Sequence, residues 1–297
     1  MRSLGGFYTV ISEDGTRTEC RGRGIFRKDA TTLLVGDRCR FEPTEPGCGS
    51  ITAIAPRKNT LQRPPVANLD RLAMVVSLAD PAPNALVIDQ LTAIAARRDI
   101  PVVMIFTKPD LADPTPWAEI YRKAGYPTAV VNNLTGEGLT EAAALLKGGI
   151  TAFCGNSGAG KSSLMNGLYP DLNLATGEIS KKLGRGRHTT RHVELFPDGH
   201  GGWLCDTPGF SALEFAKAEP MPAAELAECF PEMEKYKDHC RYTGCSHRTE
   251  HGCAVLEAVR EGLIPESRHR SYAAIYNELK ELKEWELAKM GRSQGGT

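Results

Sequence analysis

A glycine-rich segment near the middle of the chain has the residue types and spacing of a phosphate-binding loop. Residues 155–162 read G-N-S-G-A-G-K-S, which matches G-x-x-x-x-G-K-[ST] at every fixed position. The segment follows apolar residues of strand length, 150–154, and opens a predicted helix over 162–168. Glycines let backbone N–H groups turn towards phosphate oxygens, and the helix N-terminus adds its positive end. The pattern predicts a nucleoside-triphosphate site.

The loop also contains the side chains that such a site requires. We expect Lys161 to reach the β- and γ-phosphates and Ser162 to ligate the Mg²⁺ that accompanies the nucleotide. The complete set of expected nucleotide-binding residues in the loop is Gly155, Asn156, Ser157, Gly158, Ala159, Gly160, Lys161, Ser162 and Ser163.

A second acidic segment follows further along the chain. Asp206-Thr-Pro-Gly209 comes directly after the apolar residues 203–205. An aspartate at a strand end opposite a phosphate-binding loop holds Mg²⁺ in nucleotide hydrolases. We therefore expect Asp206 to bind the ion through water and the Gly209 N–H to sense the γ-phosphate.

Between these two motifs lies a polar segment without hydrophobic periodicity. Residues 184–191 read G-R-G-R-H-T-T-R, which predicts a loop. A threonine on such a loop completes the Mg²⁺ shell in nucleotide switches. We favour Thr190 as this ligand, with Thr189 as the alternative.

A short motif before the phosphate-binding loop indicates which base is bound. Residues 107–110 read T-K-P-D after a predicted strand and are similar to the N/T-K-x-D motif that reads guanine. The carboxylate of Asp110 can accept from both N1–H and N2–H of guanine, a donor pair that adenine lacks. We expect Thr107 and Lys108 to support this contact, and Asn132 to support the base from the end of the next strand. The predicted ligand is GTP.

The order of these motifs is unusual. In most GTPases the base-reading segments follow the phosphate-binding loop, but here Lys108 precedes Lys161. A sheet tolerates such circular permutation when the new termini fall at exposed loops. The segment after Asp206 then leads directly into the C-terminal region.

Three cysteines and a histidine crowd together in that C-terminal region. The expected ligands are Cys240, Cys245, His247 and Cys253, with His239 and His251 as competitors for the histidine position. Four N/S ligands with no open position predict one structural zinc ion per chain. The nine cysteines are an odd number, which argues against a disulfide framework.

The elements around these motifs predict three domains of different class. Residues 1–63 read as short strands and turns and predict a small all-β barrel of the OB type. Residues 64–216 alternate buried strands with helices, which predicts an α/β domain with a parallel sheet. Residues 217–297 are helical around the cysteines. Their last helix has its apolar positions on one face, which we expect to pack within its own domain.

Composition excludes several classes of protein. Charged residues make up 24% of the chain and hydrophobic ones 41%, which is ordinary for a folded globular protein. No apolar run is long enough to span a membrane, and no secretory signal is visible, so we expect a cytoplasmic protein without membrane contact. Lys plus Arg and Asp plus Glu are both 36, so any nucleic-acid contact must use local basic patches such as Lys181 to Arg191.

Taken together, these motifs resemble a family of bacterial GTPases across essentially the whole chain. T-K-P-D, T-G-E-G-L (135–139), G-N-S-G-A-G-K-S-S-L (155–164), H-T-T, D-T-P-G-F (206–210) and the cysteine spacing are similar to the circularly permuted, small-subunit-dependent GTPases of the RsgA (YjeQ/YloQ) family. The resemblance implies an OB-fold, a permuted GTPase domain and a zinc-binding helical domain. It also implies action in late assembly of the small (30S) ribosomal subunit, on its 16S rRNA. We expect a monomer that cycles between GTP and GDP.

The chain departs from the family pattern at several positions. Thr107 stands where the family usually has asparagine, and Asn132-Asn133 replaces the more usual Ser-Ala. Phe210 stands where many GTPases carry the glutamine that orients water, so His188 becomes the candidate for that role. Two other functions compete with a GTPase: an RNA-binding protein in which nucleotide is structural, and an ATP-dependent kinase or ATPase.

Overall fold

The fold comprises a β-rich region, an α/β region and a helical region in chain order. The computed structural model describes residues 3–4, 7–22, 32–62, 65–170, 194–199, 201–206 and 221–281. Within these ranges no helix is both long and apolar enough to cross a bilayer.

The N-terminal region is a five-stranded sheet folded around a small core. Its strands are β1 (Ser3–Leu4), β2 (Phe7–Ile11), β3 (Arg17–Gly22), β4 (Cys39–Glu45) and β5 (Cys48–Ile54). Their order is β1-β2-β3-β5-β4, in which only β3 and β5 pair in parallel. Val10 of β2, Cys20 of β3 and Ile51 of β5 form the core together with Leu33, which lies in the segment before β4. The prediction of a small all-β domain is confirmed.

A short hairpin leads from this domain into the next. It consists of β6 (Thr60–Gln62) and β7 (Pro65–Ala67), and Val66 also forms a parallel bridge with Val35. Asn59 stabilises the start of the hairpin because its carboxamide accepts from the Leu69 N–H at 2.8 Å and donates to the Leu69 carbonyl at 2.9 Å.

The central region alternates strands with helices, as the sequence predicts. Its strands are β8 (Arg71–Ser77), β9 (Val102–Thr107), β10 (Thr128–Val131), β11 (Gly149–Cys154), β12 (Glu194–Pro197) and β13 (Gly202–Asp206). Its helices are α1 (Ala85–Arg97), α2 (Thr115–Lys123), α3 (Leu139–Leu146) and α4 (Lys161–Leu168).

The strand order brings the predicted motifs to one edge of the sheet. The order is β10-β9-β8-β11-β13-β12, and all neighbours are parallel except β12, which runs antiparallel to β13. In open parallel sheets ligands bind beyond the carboxyl ends of the strands. The segments after β9, β10, β11 and β13 carry the base-reading and phosphate-binding motifs, so all of them begin at that edge. The short strand β12 was not anticipated, because four residues ending in proline give little periodic signal.

The C-terminal region consists of short helices that share a core with the central sheet. Three 3₁₀ helices span Ala223–Cys229, Pro231–Met233 and Lys237–His239, and two α-helices follow, α5 (Ala254–Arg260) and α6 (Glu266–Glu281). Tyr272 and Ile275 of α6 are buried, which confirms its predicted apolar face. Tyr272 packs against Phe230 of its own domain, as expected, and α6 also packs on α1 of the central domain.

Contact between α6 and α1 is made by a buried arginine. Arg268 of α6 has no solvent exposure, and its Nη1 donates to Asp89 Oδ1 of α1 at 2.6 Å and to Thr92 Oγ1 at 3.1 Å. Its Nε donates to Glu232 Oε1 at 2.6 Å. The guanidinium also lies 4.6 Å from the ring centre of Phe230, within cation–π distance.

Arg268 keeps its positive charge although it lies in the core. Burial alone would lower the pKa of Arg268, but Tyr126, Glu232 and Asp89 around it raise that pKa well above its usual value. Burial and the neighbouring Asp89 carboxylate raise the pKa of Tyr121, whose hydroxyl donates to Asp89 Oδ1 at 2.8 Å. Removing one member of a buried ion pair leaves the others without a partner, which is far more costly than the pair's net contribution.

We predict that Arg268→Ala lowers the free energy of unfolding by about 3–5 kcal/mol, since it leaves two buried carboxylates unpaired. Arg270→Ala on the same helix is the matched control, because the Arg270–Glu266 pair is three-quarters exposed and contributes at most about 0.5 kcal/mol. Urea unfolding followed by circular dichroism measures both. Equal midpoints for the two variants would contradict the role given to Arg268.

Candidate nucleotide site and metal centre

The phosphate-binding loop connects β11 to α4 in the conformation that its glycines permit. Gly155 and Gly160 have φ values of 145° and 83°, and Gly160 caps the N-terminus of α4. A Cβ atom on Gly155 would collide with the Val75 carbonyl of β8, so the close approach of loop and strand requires glycine. Asn156, Ser157 and Gly158 are exposed at the tip of the loop. The loop is therefore shaped by the sheet and open to a ligand.

Lys161 lies folded over its own loop. Its Nζ donates to the Gly155 carbonyl at 2.6 Å and to the Asn156 carbonyl at 2.8 Å. Burial lowers the pKa of Lys161. Both carbonyls belong to the predicted phosphate-binding loop, so the ammonium group lies against that loop. Ser162 and Ser163 follow it in the half-buried first turn of α4.

The T-K-P-D segment follows β9 and contacts the phosphate-binding loop directly. The buried Thr107 hydroxyl donates to the Ala159 carbonyl at 2.7 Å. Lys108 has a left-handed backbone with φ of 62°, and its Nζ donates to the Asp80 carbonyl in the loop after β8. Asp110 is exposed, so its carboxylate is available to a base. Of these three residues, Thr107 makes the hydrogen bond to the predicted phosphate-binding loop.

The segment after β10 contributes two asparagines with different contacts. The Asn132 side chain is buried, and its Oδ1 accepts from the Leu134 N–H at 2.9 Å and from the Thr135 N–H at 3.3 Å. Asn132 therefore shapes its own turn. Asn133 instead reaches the phosphate-binding loop, where its Nδ2 donates to the Gly160 carbonyl at 3.2 Å. Residue type alone gives no signal that separates these two neighbours.

Only part of the predicted Mg²⁺ site lies within the described residues. Asp206 ends β13, whose Cys205 pairs in parallel with Ala152 of β11, so its backbone lies at the same edge as the phosphate-binding loop. The candidate residues outside the described ranges are His188, Thr189, Thr190, Gly209 and Phe210.

The predicted metal ligands come together in the C-terminal domain. One sulfur or imidazole nitrogen from each residue lies within 4.8 Å of all the others; the residues are Cys240, Cys245, His247 and Cys253. Cys240 Sγ lies 3.4 Å from His247 Nδ1 and 3.7 Å from Cys253 Sγ. The competing histidines, His239 and His251, are not part of this cluster. Three thiols and one imidazole fit the donor set of a closed, four-coordinate zinc site.

Protonation of these groups also fits a cation site. Burial raises the pKa of Cys245 to about 12 and also raises that of Cys253, while burial lowers the pKa of His247. Burial therefore favours the protonated thiols of Cys245 and Cys253 and the neutral imidazole of His247. Binding of a divalent metal offsets the cost of buried thiolates and releases their protons.

The loop that carries the ligands is held by hydrogen bonds with side chains of α6 and with the carboxylate of Glu250, which belongs to the same loop. His269 Nε2 donates to the His247 carbonyl at 2.7 Å, and the Tyr272 hydroxyl donates to the Ser246 carbonyl at 3.0 Å. The Glu250 carboxylate accepts from the Ser246 N–H at 2.8 Å and from the Arg248 N–H at 2.9 Å. The ligands are therefore pre-positioned by protein contacts alone.

Two protein-family models match the N-terminal and central domains of the chain. The model of the RsgA GTPase matches residues 54–216, and that of the RsgA N-terminal domain matches residues 1–51. Two similar relatives are both named small ribosomal subunit biogenesis GTPase RsgA. The protein from Moorella thermoacetica is 43% identical over 94% of this chain and 96% of its own. The protein from Geobacillus kaustophilus is 44% identical over 95% and 97%.

Solved structures show the same architecture. YjeQ from Thermotoga maritima superposes with a TM-score of 0.79 at 33% identity, over 94% of this chain and 96% of that one. YloQ, described as a circularly permuted GTPase, gives 0.77 at 31% identity, over 95% and 93%. The motif order from Lys108 to Lys161 agrees with that description. With the family model covering more than half of its length, the chain belongs to the RsgA family of circularly permuted GTPases.

Proposed function

We propose that this chain hydrolyses GTP to GDP and phosphate during late maturation of the small (30S) ribosomal subunit, while bound to the 16S rRNA of that subunit. One observation carries the enzymatic part: Thr107 and Lys161 lie on two sides of one loop, so a base-reading segment and a phosphate-binding loop meet in a single site. The names of the relatives support the ribosomal part.

We assign the steps of the reaction to the chain's own residues as follows. Asp110 reads the guanine edge, with Thr107, Lys108 and Asn132 supporting it. The Gly155–Ser163 loop holds the phosphates through backbone N–H groups, and Lys161 neutralises charge that develops on the transferred phosphoryl group. Mg²⁺, when bound by Ser162 and Thr190 and through water by Asp206, supplies further neutralisation of the phosphate charge.

Water activation is the weakest part of this site in the isolated protein. Phe210 offers no hydrogen bond to the attacking water, so we propose that His188 orients it and that Gly209 senses the γ-phosphate. Slow turnover alone and faster turnover on the ribosomal subunit follow from this arrangement. An activator that completes a GTPase site raises the rate of hydrolysis roughly 10³–10⁵-fold.

The remaining parts of the proposal concern the whole chain. We propose an RNA-binding domain over residues 1–63, the GTPase domain over 64–216 and a zinc-binding domain over 217–297, in a cytoplasmic monomer. The zinc ion, one per chain, is structural and held by Cys240, Cys245, His247 and Cys253, since four donors leave no position for substrate.

The alternative of an RNA-binding protein with structural nucleotide is less well supported. A purely structural nucleotide does not need Lys161 against the predicted phosphate-binding loop together with Asp206 at the neighbouring strand end. An ATP-dependent enzyme is disfavoured by the exposed carboxylate of Asp110, which suits guanine.

We predict that Lys161→Ala lowers GTP hydrolysis by at least about 10²-fold, because it removes the main positive side chain at the phosphates. Lys147→Ala is the matched control, since Lys147 is an exposed lysine of the same domain. Phosphate release under saturating GTP measures both variants. Turnover at the wild-type rate in Lys161→Ala would contradict the assignment.

The ribosomal part predicts that purified small subunits raise GTP turnover strongly, whereas large subunits alone do not. Stimulation is expected to fall as salt rises, because contacts to RNA phosphates compete with cations. The measurement is phosphate release against added subunits at low and moderate salt. No stimulation at either salt would rule out the ribosomal proposal and leave the GTPase assignment standing.

The metal centre predicts about one zinc per purified chain by elemental analysis. Cys245→Ser is expected to lose the metal and to lower the melting temperature of the C-terminal domain, because one of four ligands is missing. Cys48→Ser is the control, as Cys48 is an exposed thiol of the N-terminal sheet. A stoichiometric zinc content in Cys245→Ser would argue against this ligand set.

A further inference from the structure

Two side chains from separate base-reading segments hold consecutive carbonyls of the phosphate-binding loop. Thr107, at the end of β9, donates through its hydroxyl to the Ala159 carbonyl at 2.7 Å. Asn133, after β10, donates through Nδ2 to the Gly160 carbonyl at 3.2 Å. Since the two carbonyls are adjacent, the last turn of the loop before Lys161 is fixed from both segments at once.

Both side chains border the same small space beside Gly160. A Cβ atom built on Gly160 would lie 2.7 Å from Asn133 Nδ2, 3.7 Å from Thr107 Oγ1 and 3.9 Å from Thr107 Cβ. The carboxamide of Asn133 therefore fills the space that the short threonine leaves. An asparagine at position 107 would bring its own carboxamide towards the same place.

The Asn133 carboxamide has bonding capacity that its own loop does not use. Its Oδ1 is buried and has no hydrogen-bond partner within the described residues, although a buried acceptor without a partner costs free energy. By contrast, Asn132 uses its Oδ1 for two N–H groups of its own turn. The orientation of Asn133 is thus set by the Gly160 carbonyl, which accepts only from the NH₂ side of an amide.

We propose that Asn133 is a positioning residue for guanine-nucleotide binding and that it forms a matched pair with Thr107. Its carboxamide joins the segment after β10 to the phosphate-binding loop. The segment that contacts the base is thereby held in a fixed position relative to the loop that contacts the phosphates. This inference rests on the proposed GTPase function.

The first test measures the affinity for fluorescently labelled GDP. Asn133→Ala is expected to weaken binding about ten-fold, because it removes the hydrogen bond that joins the segment after β10 to the Gly160 carbonyl, which keeps its bond from the Leu164 N–H. Leu134→Ala is the control for disturbance of the same loop, since Leu134 is 84% exposed, and we expect it to stay within about two-fold of wild type. Melting temperatures check that both variants are folded. An Asn133→Ala protein that binds GDP as tightly as wild type would overturn the proposal.

The second test exchanges the two side chains. Thr107→Asn combined with Asn133→Ala moves the carboxamide to the other segment and is expected to recover most of the lost affinity. Thr107→Asn alone places two carboxamides in one space and is expected to weaken binding. A double variant that binds no better than Asn133→Ala would overturn the matched pair.

These outcomes are distinguishable from failure of the GTPase proposal. If unlabelled ADP displaces the labelled GDP from the wild-type protein as well as unlabelled GDP does, the guanine-nucleotide function itself is wrong. If the wild type prefers GDP and only the variants behave contrary to expectation, the role of Asn133 alone is wrong.

Discussion

The buried guanidinium of Arg268 determines how the C-terminal domain is attached to the GTPase domain. It pairs with Asp89 of α1 and with Glu232, and none of the three charges has access to water that could replace a lost partner. From the same helix, His269 and Tyr272 hold the loop that carries the metal ligands. Helix α6 therefore connects the metal centre to the helix layer of the nucleotide-binding sheet through one rigid element.

The joint between the N-terminal and GTPase domains is of a different kind. It is lined by polar pairs such as Lys58–Asp70, both partly exposed, and encloses a cavity of about 510 Å³ that also borders Arg38 and Trp203. The buried Val35–Val66 bridge and the hydrogen bonds between the buried Asn59 side chain and Leu69 lie at the same joint. This joint therefore combines a partly exposed ion pair with buried contacts, whereas the joint to the C-terminal domain contains a buried charge network.

Circular permutation has a clear consequence in this arrangement. The base-reading segments come early in the chain, so the strand that ends at Asp206 is the last of the sheet in chain order, and the C-terminal region follows it in the sequence. Side chains from the early segments, Thr107 and Asn133, nevertheless donate hydrogen bonds to the phosphate-binding loop at 2.7 and 3.2 Å. Sheet topology, not chain order, decides which loops meet.

Local patterns in the sequence determined the element types, the phosphate-binding loop, the T-K-P-D segment and the cysteine cluster, because each depends on residues close together in the chain. Tertiary structure alone decided the rest. Arg268 reads as an ordinary helix-surface residue until α6 packs on α1, and β12 exists as a strand only because β13 lies beside it. Likewise, Asn132 and Asn133 are identical in type and adjacent in sequence, yet one folds into its own turn and the other reaches Gly160. Successive side chains of an extended or turning backbone point in different directions, and what each one meets depends on elements distant in the sequence.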